Sequence, residues 1–124
     1  MRVETIVVTT SAGGVATGYS SRAVTGKIKN ISYVPGDLLT GSDITVIGET
    51  SLIPIITITD LGVAAVSFAP RMATCDVAGA ASLYASGGEP VETEILIVNE
   101  RIKLSVAQGG DTKSGTFVVV LETL

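Results

Sequence analysis

The chain has 124 residues, 16% charged and 46% hydrophobic, with 12 acids, 8 bases, one cysteine and no histidine. That length suits one domain that buries roughly two-thirds of the surface its unfolded form exposes, and the lone Cys75 excludes an intrachain disulfide. A net charge of −4, with Arg22, Lys27 and Lys29 as the densest positive stretch, argues against a nucleic-acid face, and no segment approaches the length of a membrane span.

Period-2 patterns punctuated by glycine recur along the chain and predict strands. Val3–Thr9 is an apolar, threonine-rich strand, closed by SAGG at Ser11–Gly14, and Val15–Ser20 is a second short one. The apolar run of Met1–Thr10, Ile6–Val8, is too short for a secretory core, so the chain is expected to be made in the cytoplasm and soluble. Ala23–Val34 is longer, and its alternation slips between Ile28 and Ile31, as a β-bulge requires. After a turn at Pro35–Asp37 come Ile44–Gly48 and Ile53–Thr59, the latter placed at a sheet edge by Pro54.

Ile95–Val98, Arg101–Ala107 and Thr116–Glu122 complete the set. Pairing Val106 with Phe117 across the glycine-rich QGGDTKSG also sets Leu104 against Val119 and Ile102 against Leu121, with all six on one buried face. The expected product is an all-β antiparallel β-sandwich or jelly roll of seven to nine short strands in one domain, residues 1–124, with no amphipathic helix.

Catalytic and metal chemistry has little to build on. Without histidine, Ser–His and Cys–His arrangements are absent, and zinc lacks ligands. Asp37 and Asp43 match no calcium-loop spacing. TGKIKN puts Ile28 where a phosphate loop needs a hydroxyl, SAGGVATG does not open a helix, and no GxSxG elbow occurs. Glu92 and Glu94 share a strand face but have no aromatic-lined cleft to serve, because the chain has no Trp and only five aromatics. No enzyme activity, cofactor or metal is expected.

The charged share lies well below the roughly 25% of an ordinary soluble domain, while mean hydropathy is +0.55. An exterior with so few charges is expected to be covered in part by other subunits. Ser67–Pro90, rich in alanine, glycine and serine, is too weakly charged for a solvated linker. It reads as a packed loop against a neighbouring subunit, or as a further strand at AASLYAS. The residue types Arg and Tyr are favoured anchors at interfaces.

The order FAPRMATCDVAGAASLY, GGEPVETEILI and RIKLSVAQGGDTKSGTFVVVLE resembles small β-rich virion structural proteins of tailed bacteriophages, of the capsid decoration or cementing kind. The shared elements are an aromatic-x-Pro-Arg start, an Asp-x-x-Gly step, a tyrosine and a late Ile-Lys-x-Ser-Val strand, over roughly the last 60 residues. The resemblance implies a jelly-roll-like subunit, often a homotrimer, that bridges major capsid protein or other virion subunits. It marks Arg71, Asp76 and Tyr84 as interface positions and places the protein in the virion, capsid-associated. A neck, tail or fibre component, or a glycan-binding adhesion sandwich, are the alternatives. Residues 1–10 are expected to serve as an N-terminal arm or swapped strand that augments a neighbouring sheet.

Overall fold

The computed structural model describes residues 1–123, and these described residues form ten strands and no helix. They are β1 (Arg2–Thr9), β2 (Ala16–Tyr19), β3 (Val24–Val34), β4 (Ser42–Gly48), β5 (Pro54–Leu61), β6 (Val66–Phe68), β7 (Arg71–Ala73), β8 (Glu92–Glu100), β9 (Ile102–Ala107) and β10 (Ser114–Thr123). One sheet runs β1-β10-β3-β8-β7, with β6 also on β3; the other runs β2-β9-β4-β5. Every pairing is antiparallel.

The winding is that of a jelly roll. β1 pairs with β10, β2 with β9, β3 with β8 and β4 with β5, which is one long ribbon folded at the β4–β5 turn and rolled up. Its rolling sends successive strands of each arm of the ribbon to alternate sheets, β4 and β5 sharing one at the turn, and β6 and β7 are an insertion between β5 and β8. The strand total slightly exceeds the seven to nine expected, because these two have three residues each.

Inward alternation from both sheets fills a single core. Ile28, Ile31 and Tyr33 of β3 meet Phe117, Val119 and Leu121 of β10 along one layer, and Ile44, Val46, Ile102, Leu104 and Val106 supply the other. The rings of Tyr33 and Phe117 lie 5.1 Å apart at 33°, within the range of a favourable tilted pair. Gly18 keeps the β1–β2 corner closed: a Cβ there would stand 2.6 Å from Val8 Cγ1 and 2.8 Å from Ile6 Cγ2.

The slip in β3 is a bulge. Val120 opposes Asn30 and Leu121 opposes Ile28, so Lys29 is the extra residue, and Ile28 and Ile31 both point inward. Pro54 does begin an edge strand, β5.

One expectation is corrected. β9 and β10 do not form a hairpin; β9 lies between β2 and β4, and β10 between β1 and β3. Val106 and Phe117, Leu104 and Val119, and Ile102 and Leu121 are all buried as foreseen, but they face the core from opposite sheets. Their connection is tied to the rest of the fold. Gly109 is buried, its N–H donates to Gly14 O (2.9 Å), and Thr10 Oγ1 donates to Gly110 O (2.6 Å). Residues 1–10 are held within their own chain: β1 pairs with β10 from Arg2 to Thr9, Ile6 and Val8 are core, and buried Glu4 takes Arg2 Nε (2.9 Å) and Ser21 Oγ (3.2 Å).

Candidate interaction surfaces

The insertion between β5 and β8 makes an arm, whose root is the short ladder of β7 on β8, Arg71 opposite Glu94 and Ala73 opposite Glu92. Beyond it the chain makes two small hairpins. In the first, Ser82 N–H donates to Thr74 O (3.1 Å) and Asp76 N–H to Ala80 O (2.9 Å). In the second, Val91 N–H donates to Ser82 O (2.8 Å) and Tyr84 N–H to Glu89 O (3.1 Å). Thr74 N–H donates to Val91 O (2.8 Å), closing a cycle in which Thr74, Val91 and Ser82 each give one backbone bond and take one. The arm is thus a three-way junction, a stem and two hairpins joined by main-chain groups. From residue 71 to 93, only these three residues are not exposed.

The tips are tight turns. Asp76 Oδ1 accepts the N–H groups of Ala78 (2.8 Å) and Ala80 (3.0 Å), the side-chain bonding that makes aspartate a turn former. Gly79, at φ +83°, completes that turn, and Gly87, at φ +70°, completes the second, conformations that favour glycine.

The three residues marked from the sequence fall on three different limbs. Arg71 is on the stem, with Nη1 donating to Pro70 O (2.9 Å). Asp76 is on the first hairpin and Tyr84, 77% exposed, on the second. No hydrogen bond or ion pair joins them among the described residues, and the Asp76 carboxylate is occupied in shaping its own turn. The loop is therefore not packed against its own domain, and AASLYAS contributes only isolated bridges, Cys75 with Ala81 and Leu83 with Pro90. Met72 on the stem, Val77 on the first hairpin and Leu83 on the second, which the sequence reading did not single out as contacts, are exposed as well.

A second surface is the outer face of β1, β10 and β3. Across it, Val3 aligns with Val120 and Asn30, Thr5 with Val118 and Ser32, and Val7 with Thr116 and Val34. Val3 and Val7 are 59% and 63% exposed. A clue was present in the sequence: residues 3–8 are apolar or neutral at nearly every position, where a strand wet on one side would alternate.

Charge on this sheet is confined to one end. The bulge turns Lys29 outward on the central strand, and its Nζ reaches Glu94 on β8 (3.0 Å to Oε1, 2.9 Å to Oε2) and Glu122 on β10 (2.8 Å). Hydrogen bonds to Glu122 and then Glu94 hold the ammonium above the ordinary lysine range, and Lys29 in turn holds Glu122 below the usual carboxylate range. Glu92 and Glu94 do share the outer face of β8, but Glu94 is engaged by Lys29.

At the opposite sheet, Arg101 grips Glu49 with two bonds of 2.7 Å and lies 4.2 Å over the Tyr19 ring. That contact lowers the Glu49 carboxyl and raises the guanidinium. Among the described residues there is no enclosed pocket and no cluster of three potential metal ligands. No family model matches the chain, and neither a curated protein nor a solved structure does.

Proposed function

We propose that this chain is a non-enzymatic virion structural subunit of the bacteriophage decoration or cementing kind, which attaches to a capsid lattice through its arm and bridges neighbouring capsid subunits. The observation that carries the reading is the arm itself. It contributes almost nothing to the core, uses its backbone bonds on its own shape, and turns Met72, Val77, Leu83 and Tyr84 outward. Burying such a side chain against a partner contributes about 1.5–3 kcal/mol each, and a pre-shaped projection loses less ordering entropy on binding than a flexible one. The resemblance of residues 68–122 to virion proteins of tailed phages supplies the class of partner.

The test is sedimentation with emptied shells of the tailed phage that encodes the chain. The intact protein is expected in the pellet, and a variant with residues 74–91 replaced by Asn-Gly in the supernatant. An intact protein that stays in the supernatant, or a shortened one that pellets equally, overturns the reading.

A further inference from the structure

β5 is a long strand with little backbone support. It lies at a sheet edge, bonds to β4 alone, and its ladder slips at two places. Ile53, Ile56 and Ile58 are only partly buried there. An edge strand with an interrupted ladder opens at a lower free energy than strands bonded on both sides. Carboxylates fasten both of its ends.

At the leading end, Glu100 Oε1 accepts the N–H groups of Thr50 and Ser51, each at 3.0 Å. Gly48 makes room for that oxygen, since a Cβ there would collide with it. Arg101 adds a second hold on the same turn through its two 2.7 Å bonds to Glu49. The turn itself is strained: Leu52 stands at φ +61°, a left-handed conformation that is costly for leucine. At the trailing end, Asp43 Oδ1 accepts Asp60 N–H at 3.1 Å. An ionised carboxylate takes such bonds about twice as strongly as a neutral acceptor, so each fastener weakens on protonation.

We infer that β5 and its leading turn form an acid-released strap: as Glu100, Glu49 and Asp43 lose their charges, residues 49–61 open from β4 while the other strands stay folded. Glu49 is the like charge beside Glu100; Arg101 and Lys103 are the cations that act on Glu49, and Tyr19 of β2 lies under Arg101. Asp60 is the acid beside Asp43. Burial pushes the Glu100 carboxyl up, but the bonds from Ser51 and Thr50 outweigh it and hold it low. The Arg101 bonds hold Glu49 low as well. The strap is therefore shut at neutral pH and loosens as pH falls through those lowered values. The central strands β9 and β10 are held instead through Ile102, Leu104, Val106, Phe117, Val119 and Leu121, which do not titrate. None of this depends on what the arm binds.

Hydrogen exchange of the full chain, read by mass spectrometry from pH 7 to pH 3.5 with times scaled for the intrinsic rate, tests the strap. Protection of residues 49–61 is expected to fall about tenfold over that range, while residues 102–107 and 116–121 keep theirs. Glu100→Gln keeps the shape without the charge. It is expected to lower the protection of the strap at pH 7 and to flatten its pH dependence. Asp43→Asn is expected to do the same for residues 57–61, and Glu92→Gln, an exposed acid on β8, to change nothing. Loss of protection in all strands at one pH overturns the inference. So does a strap equally protected at pH 7 and pH 3.5, or one indifferent to both Glu100→Gln and Asp43→Asn.

Discussion

The carboxylate of Glu100 binds the backbone of Ser51, which lies on the turn of the other sheet: Oε1 accepts the N–H groups of Ser51 and Thr50, each at 3.0 Å. Glu100 is buried at the end of β8, and the next residue, Arg101, grips Glu49 in the same turn. One corner of the roll, where β8 passes to β9, therefore holds the β4–β5 turn that lies at the middle of the ribbon.

Burial pushes the Glu100 carboxyl up, but the bonds from Ser51 and Thr50 outweigh it and hold it below the usual range. A carboxyl lowered in the fold contributes stability that is complete above its unfolded value, about 4.3, and is lost as pH falls through its folded value. Glu100→Ala strands two backbone donors and is expected to cost about 2 kcal/mol at pH 7. Urea midpoints from pH 7 to pH 3 check this, and the gap between wild type and variant should shrink at the acid end.

Lys29→Met removes the ammonium that Glu94 and Glu122 share. Glu94 Oε2 is shielded from solvent and faces the ammonium at 2.9 Å, so without Lys29 the two acids are left facing each other. The melting temperature is expected to fall at pH 7. Because Lys29 holds Glu122 low, the gap should close as pH drops through the Glu122 value and both forms become protonated. A gap constant from pH 7 to pH 3 would contradict the assignment.

Deleting residues 1–10 is expected to abolish cooperative unfolding rather than free a dispensable arm. The deletion strips Ile6 and Val8 from the core and Glu4 from its partners. It also removes Thr10, whose hydroxyl accepts Lys113 N–H at 2.8 Å. Two apolar side chains alone are worth about 2–4 kcal/mol each, a large part of the stability of a small domain. Thermal melts by near-ultraviolet circular dichroism give the answer.

Replacing residues 74–91 by Asn-Gly is expected to leave the melting temperature within a few degrees. Ala73 and Glu92 are already partners in the ladder, and a two-residue Asn-Gly link is a favoured hairpin turn. Differential scanning calorimetry reads the result, and a collapse of the transition would show that the arm props the sandwich.

The faces of the strands were legible in the sequence, but their partners were not. Alternation in Ile102–Val106 and Phe117–Leu121 marks an inward side, and that pattern is the same whether two strands lie side by side or across a core. The six-residue link between β9 and β10 suits a hairpin or a crossover, and only the distant contacts of Gly109 with Gly14 and Leu39 decide for the crossover. Lys29 and Pro54 were readable because a bulge and an edge are local events. β6, β7 and the hairpins of the arm were not, because three-residue strands leave no period to detect. The valine face stood in the sequence as the apolar or neutral outward positions Val3, Thr5 and Val7 of β1.

The cycle of main-chain bonds through Thr74, Ser82 and Val91 has a bearing on how such a surface changes over generations. Apart from the Thr74 hydroxyl, which also donates to Val91 O (2.7 Å), its ties are main-chain groups, so residues at Val77 and Ala85–Ser86 can be exchanged without loosening the knot, provided Thr74, Asp76, Gly79 and Gly87 are kept. The two loops then behave like interchangeable fingertips on a fixed wrist, and new recognition arises there while the sandwich beneath goes on folding as before.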